Sequence, residues 1–242
     1  AFSENYGIEK WMTNRARRAV ELYGGDDSIN HDEFFQYKYD KTYSEKSELR
    51  RQVANFLDAL PASDELKKEL ELLRQWNGEM AKDNRSAALV LLTFRPRSNS
   101  SKRNTKHERT LDQLQKASED LRKHFGRIDV EWGKVNRLVR GDKNLPLGGG
   151  PDTLRAIYGR PQEDGTLAGV AGDCFFQFVE WDKDGKLQAW AINQFGSSPG
   201  NPDSPHHTDQ APLFAKEKLR KVPFTRDEVL ANAKRTYRPI DL

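Results

Sequence analysis

From Tyr6 to Tyr23, Ile8, Trp11, Met12, Ala16, Ala19, Val20 and Tyr23 recur at spacings of three and four. That spacing places them along one face of a helix. Gly24-Gly25 follows, and glycine just past such a run is the usual stop because it tolerates a left-handed cap. Ser28 is the expected N-cap of a short helix through Phe34, Phe35 and Tyr37. Two longer helices are predicted, Ser44 to Leu60, ended by Pro61, and Ser63 to Trp76, with Leu66, Leu70 and Leu73 on one face of the latter. Ala87 to Phe94 is a continuous apolar run, read as a buried helix or strand. Leu111, Leu114, Leu121 and Phe125 share the face of a further helix that Gly126 caps.

Beyond Arg127 the pattern shifts to strands and turns. Residues 173–181 and 186–193 are aromatic and apolar runs joined through Asp184-Gly185, which predicts a hairpin. Pro199, Pro202 and Pro205 enforce an irregular segment. Thr225, with Glu228 three residues on, is a capping box for a last helix. Helices followed by an antiparallel sheet make an α+β fold, with residues 1–126 mainly helical and 127–242 strand-rich.

Charge narrows the function classes. Forty Lys and Arg face 37 Asp and Glu, a net of +3, too small an excess for a dedicated nucleic-acid binder. A single cysteine, Cys174, excludes an intrachain disulfide framework and a cysteine-based zinc site. No apolar run approaches the ~18 residues of a membrane helix, and no signal peptide opens the chain. The expected class is therefore a soluble, globular protein. Apolar residues with glycine reach about 43% of the chain, against ~45–50% in a typical globular domain. A thin core of this kind, and a first residue Ala1 rather than Met, suggest a fragment or processed subunit whose interior is shared with another chain.

Candidate chemistry is dispersed. Arg95 to Arg109 gathers Arg95, Arg97, Lys102, Arg103, Lys106 and Arg109. Without interleaved aromatics to stack a base, it reads as a solvated loop rather than a phosphate-binding patch. His31, His107, His124, His206 and His207 match no metal-ligand spacing. Ser198, Ser204, His206, His207 and Asp209 invite a Ser-His-Asp reading. Near neighbours in an extended segment point away from one another, however, so a loop of backbone-satisfying polar side chains is expected. Gly148-Gly149-Gly150 lacks the Lys-Ser/Thr of a P-loop and reads as a close backbone approach ahead of a short helix. Residue types alone therefore define no self-contained active site.

Four segments, in order, carry a resemblance: MTNRARRAVEL at 12–22, VEWGKVNRLVRG at 130–141, LPLGGGPDTLRAIYG at 145–159 and GSSPGNPDSPHHTDQ at 196–210. Together they resemble the C-terminal part of the β-subunit of penicillin-acylase-type N-terminal-nucleophile hydrolases. The resemblance is closest to the acyl-homoserine-lactone and aculeacin acylase branch. It implies a slice of an αββα fold, completed by an α-subunit and the N-terminal part of the β-subunit from the same precursor. It also implies autoproteolytic maturation, export to the periplasm or outside the cell, and hydrolysis of an acyl amide without a catalytic cofactor. In the family an N-terminal serine attacks the amide carbonyl and its own α-amine, with pKa ~7.7–8.0, serves as base. Here Ala1 is no nucleophile, so the attacking serine and the oxyanion asparagine would lie on another chain.

What the resemblance carries onto this sequence is Arg15, matching the arginine that lies beside the nucleophile and orders neighbouring polar groups. A guanidinium, always charged and forked, suits that task. Arg17 and Arg18 are close enough in register to compete for it. Glu4 falls near the place of a structural Ca²⁺ ligand in some members, whose other ligands would lie elsewhere. The substrate stays open among acyl-homoserine lactones, β-lactams and lipopeptide amides. The rival reading is a non-catalytic relative that keeps the scaffold for binding.

Overall fold

The computed structural model describes residues 12–60, 65–94, 107–238 and 240. Glu4, Ala1 and most of the basic stretch, 95–106, lie outside them. The chain groups into two compact units, residues 1–172 and 173–242.

In the first unit, α1 (Asn14–Tyr23) begins at Thr13, whose side chain accepts the Ala16 N–H at 3.2 Å. α2 (His31–Lys38) is capped by Asn30 rather than Ser28. The Asn30 side chain takes the Glu33 N–H, and the Glu33 carboxylate takes the Asn30 N–H. Ser28 is drawn instead to Asp26, whose carboxylate accepts its N–H and also the Tyr37 hydroxyl. A complete capping box satisfies two otherwise orphaned donors, which a lone serine cannot match. α3 (Glu48–Ala59) starts at its N-cap Ser47, and the residues from Ser44 form a turn before it. α4 (Lys67–Gln75) follows.

α5 (Ala87–Phe94) settles the helix-or-strand question for AALVLLTF. Asn84 Oδ1 accepts the N–H groups of Ser86 and Ala87, giving the run a helical start. Ala87, Ala88, Leu89 and Val90 are all fully buried, so four consecutive positions, a whole turn, face the interior, and only Leu92 and Phe94 are partly exposed. α6 (His107–Phe125) packs beside it, with Leu114 and Leu121 buried, and Gly126 ends it at φ +73°. α3, α4, α5 and α6 enclose one apolar cluster, with Trp132 and Val135 of α7 (Trp132–Val135) at its margin.

The first unit also contains a sheet in the order β2-β1-β4-β3, built from β1 (Asn136–Arg140), β2 (Lys143–Pro146), β3 (Ile157–Pro161) and β4 (Leu167–Gly172). β1 pairs β2 antiparallel and β3 pairs β4 antiparallel, but β1 and β4 run parallel through Asn136↔Leu167. The expected sheet was wholly antiparallel. Joining two hairpins side by side makes the exception, because nothing local fixes the direction of the second against the first. After α6 ends at Phe125 the short α7 intervenes and β1 begins at Asn136, while the compact unit runs on to Gly172.

The second unit holds a three-stranded sheet of β5 (Phe176–Trp181), β6 (Leu187–Ile192) and β7 (Arg220–Lys221), in that order and antiparallel. The predicted hairpin is β5–β6. The Asp182 carboxylate accepts the N–H groups of Asp184 and Lys186, and Gly185 takes φ +75°. α8 (Ala211–Ala215) precedes β7, and α9 (Arg226–Asn232) opens on the Thr225–Glu228 capping box read from the sequence. Among the described residues no helix is long and apolar enough to cross a membrane.

Candidate functional site

Arg15 occupies the first turn of α1, and its partners, Asp152 and Tyr158, lie 137 and 143 positions away in the chain. The backbone N–H of Asn14 donates to Asp152 Oδ2 at 2.8 Å, and that of Arg15 reaches Oδ1 at 3.4 Å. These are two of the N-terminal donors that a helix cannot satisfy internally. A carboxylate there also complements the positive end of the helix dipole. The same carboxylate lies 3.9 Å from Arg15 Nε, and Arg15 Nη2 stands 3.5 Å from the Tyr158 hydroxyl. The Arg15 side chain as a whole remains 48% exposed.

Asn14, beside it, is buried and fully used. Its Nδ2 donates to the carbonyls of Thr42 at 3.2 Å and Asp152 at 2.9 Å, and its Oδ1 accepts from Ser44 N at 2.8 Å. The sequence offered no reason to single out Asn14 or Asp152, since each acts through partners that only the fold supplies.

The neighbouring arginines are not equivalent to Arg15. Arg18 donates to both oxygens of Asp40, from Nε at 3.1 Å and Nη2 at 2.9 Å, and from Nη1 to Glu21 at 2.7 Å. Its side chain is only 17% exposed, against 14% for Asp40. The bond to Asp40 raises its pKa even further against partial burial. Glu21 in turn accepts the Ser44 hydroxyl at 2.6 Å. Burial would raise the Glu21 pKa, yet Ser44 and Arg18 together hold it below the usual carboxylate range. Arg18 is thus committed to tying α1 to the 40–44 segment, while the Arg15 side chain stays half exposed.

Asp152 sits at φ +62°, a left-handed conformation rare outside glycine. It follows Pro151 in a turn closed by Thr153 N to Gly150 O at 3.4 Å. Proline at the second turn position and positive φ at the third are the marks of a type II turn. The expected short helix after the glycines does not form; the chain turns and then bridges Gly150 to Ala156. The turn is anchored from below, because the buried Tyr43 hydroxyl donates to Pro151 O. Burial, with the charge of Asp152 next, pushes the Tyr43 phenol well above its ordinary pKa, so it remains a donor.

The glycine run itself faces inward. Gly149 O accepts from Trp132 Nε1 at 2.8 Å and Asn136 Nδ2 at 3.3 Å, and Gly149 N donates to Met80 O at 2.8 Å. These groups are spent on protein partners, as the close-approach reading requires, and not on a phosphate.

In the second unit, residues 196–210 form a loop closed at its neck by Ser198 N to His206 O at 3.1 Å and Gln210 N to Phe195 O at 2.8 Å. His206 Nδ1 lies 3.0 Å from Asp209 Oδ2. The segment is therefore not extended throughout: successive turns at Ser198, Asn201 and Ser204 bring these two side chains together. The Ser204 hydroxyl accepts the His206 backbone N–H at 3.2 Å rather than addressing the ring. Cys174 is exposed, and among the described residues no cluster of three His, Cys, Asp or Glu is placed to hold a metal.

The chain is similar to known proteins over part of their length. Over 107 residues, 43% of this chain, it is 32% identical to an acyl-homoserine lactone acylase, PvdQ, of Pseudomonas fluorescens Pf-5. It is 34% identical over 106 residues to the PvdQ of strain Pf0-1. The matched region spans 14% and 13% of those relatives' lengths. A thermostable penicillin G acylase from Alcaligenes faecalis superposes over 96% of this chain and 53% of its own, with a TM-score of 0.47 and 14% identity. The penicillin amidase family model matches residues 2–231, nearly the full length, and the chain belongs to that family.

Proposed function

We propose that this chain is part of an acylase that hydrolyses a linear amide and releases an acyl chain, and that Arg15 is its contribution to the catalytic network. The observation that carries the reading is the state of Arg15. In a chain of this family, it stands in the MTNRARRAVEL segment with its backbone N–H on Asp152 and its side chain half exposed. A fixed charge placed beside a reacting centre stabilises developing charge without reorganisation.

The nucleophile of this reading is an N-terminal serine on another polypeptide of the same precursor, with its α-amine as base. The α-subunit and the N-terminal part of the β-subunit are the partners, and the periplasm or the exterior is the compartment. N-acyl-homoserine lactones are the leading substrates, since the relatives quoted above carry that activity in their names. A structural Ca²⁺ near Glu4 is a subsidiary part of the proposal.

The test is the complete protein, assayed against N-acyl-homoserine lactones of graded chain length and against penicillin G. Arg15→Ala should lower kcat by about 10²-fold, the scale of losing one preorganised electrostatic group. Arg15→Lys should recover only part of this, because an ammonium lacks the fork. Wild-type turnover by Arg15→Ala would refute the assignment. An unmodified residue other than Ser, Cys or Thr at the start of the partner polypeptide would favour the non-catalytic scaffold.

A further inference from the structure

We infer that Asp152 is the positioning residue for Arg15, acting through that arginine and not on the substrate. The inference rests on the role proposed for Arg15 and adds how the fold sets it.

Three contacts converge on one carboxylate: the amide N–H groups of Asn14 and Arg15, and Nε of Arg15. The first two hold the backbone from which the side chain departs. The third lies on the inner edge of the guanidinium, and Tyr158 stands on another edge at 3.5 Å. A long, half-exposed arginine would otherwise sample many rotamers, and fixing it costs side-chain entropy. Holding it beforehand removes that cost from the reaction.

The carboxylate is itself held in an unusual place. Asp152 adopts φ +62°, which aspartate tolerates better than most residues but still at some strain. Its carbonyl is gripped by Asn14 Nδ2 at 2.9 Å, and the preceding carbonyl, of Pro151, by the buried Tyr43 hydroxyl. Strained backbone persists where surrounding contacts over-determine it, and such sites concentrate where geometry matters to function. A solvent-facing turn with no task beyond connecting two strands would not need an aspartate locked on both sides. Glycine at that position would take the same φ without strain and would not cap α1.

A double-mutant cycle on the complete, processed protein tests this, with kcat and KM measured on one N-acyl-homoserine lactone and melting temperature recorded in parallel. Asp152→Ala should lower kcat at least about tenfold with KM within about twofold, because the interaction is made through Arg15. In an Arg15→Ala background the same change should cost less than about twofold, since coupled residues are non-additive. Asp152→Asn tolerates positive φ and keeps one acceptor oxygen, so it should fold with an unshifted melting temperature and still lose several-fold in kcat.

A full Asp152→Ala loss that persists in the Arg15→Ala background would overturn the positioning role and leave Arg15's own role standing. So would wild-type kcat in both Asp152 variants while Arg15→Ala is impaired. Wild-type kcat in Arg15→Ala would instead remove both.

Discussion

Gly149→Ala is the substitution on which the account of the glycine run is most exposed. Gly149 has φ +85°, and an added Cβ would stand 2.2 Å from the Arg155 carbonyl oxygen and 2.7 Å from Arg155 Cγ. The left-handed backbone alone costs an L-residue about 1–2 kcal/mol. Because the clash is with backbone, the strand of chain through Gly149 must move. Its carbonyl then leaves Trp132 Nε1, which has no other acceptor among the described residues, and one of the two acceptors of Asn136 Nδ2, which keeps Leu147 O at 3.2 Å; both residues are about 1% exposed. The stranded donor costs about 1–3 kcal/mol. The expected loss is about 2–5 kcal/mol after partial relaxation, a large share of a stability of ~5–15 kcal/mol.

Gly126→Ala is the matched control. Its φ is +73°, but a Cβ there meets nothing within 4 Å. It carries the conformational penalty without the clash, offset in part by the ~0.4–1 kcal/mol that alanine gains through the unfolded chain. Urea midpoints on the complete protein, at constant slope, compare the two. A Gly149→Ala midpoint no lower than that of Gly126→Ala would show that Gly149 is not a packed junction. The phosphate-cradle reading of the run would then return.

Two further outcomes are expected. Burial raises the Glu69 carboxyl pKa, but the Ser118 hydroxyl and the Arg122 guanidinium outweigh it and the net shift is downward. A depressed folded pKa contributes stability that is complete above the unfolded value of about 4.3 and is lost as pH falls through the folded value. Glu69→Gln should therefore flatten the decline of melting temperature below about pH 4.5, and an unchanged acid limb would dismiss the pairing. Leu89→Ala, at a fully buried position of α5, should cost about 2–5 kcal/mol in a chemical denaturation series, whereas a loss under 1 kcal/mol would mean that the four-helix cluster is loosely packed.

Features written within a few residues of themselves were legible in the sequence. The Thr225–Glu228 box, the Asp-Gly connector of the β5–β6 hairpin and the Gly126 stop each depend on neighbours, and each forms. The α2 start was misplaced by two residues because Ser28 and Asn30 are both good caps, and only the reciprocal partner Glu33 separates them. The parallel β1–β4 pair was illegible, since its partners are about thirty residues apart and no local pattern sets their direction. An extended segment predicts that His206 and Asp209 point apart. The prolines instead punctuate a series of turns, and a three-residue spacing within them returns the side chains to one another.

The candidate site divides along the same line. Pro151 behind a glycine run marks a turn, but aspartate at the next position does not announce a positive φ, which the type II form ordinarily gives to glycine or asparagine. What could not be read is that this turn closes onto a helix start 137 positions earlier. Nor did the cluster of Arg15, Arg17 and Arg18 reveal which charge is spent. That answer depends on Asp40 and Glu21, which engage Arg18 from two sides, whereas the Arg15 side chain stays half exposed. The structural cation Arg18 and the two roles proposed for Arg15 and Asp152 use ordinary residue types, and burial and partner geometry alone separate them. The consequence is directional: exchanging Arg18 and Arg15 in a mutational series should separate stability from turnover, with Arg18→Ala acting on the first and Arg15→Ala on the second. That separation follows because a half-exposed cation contributes little to folding, whereas removing one partner of a mostly buried, bidentate pair strands the other.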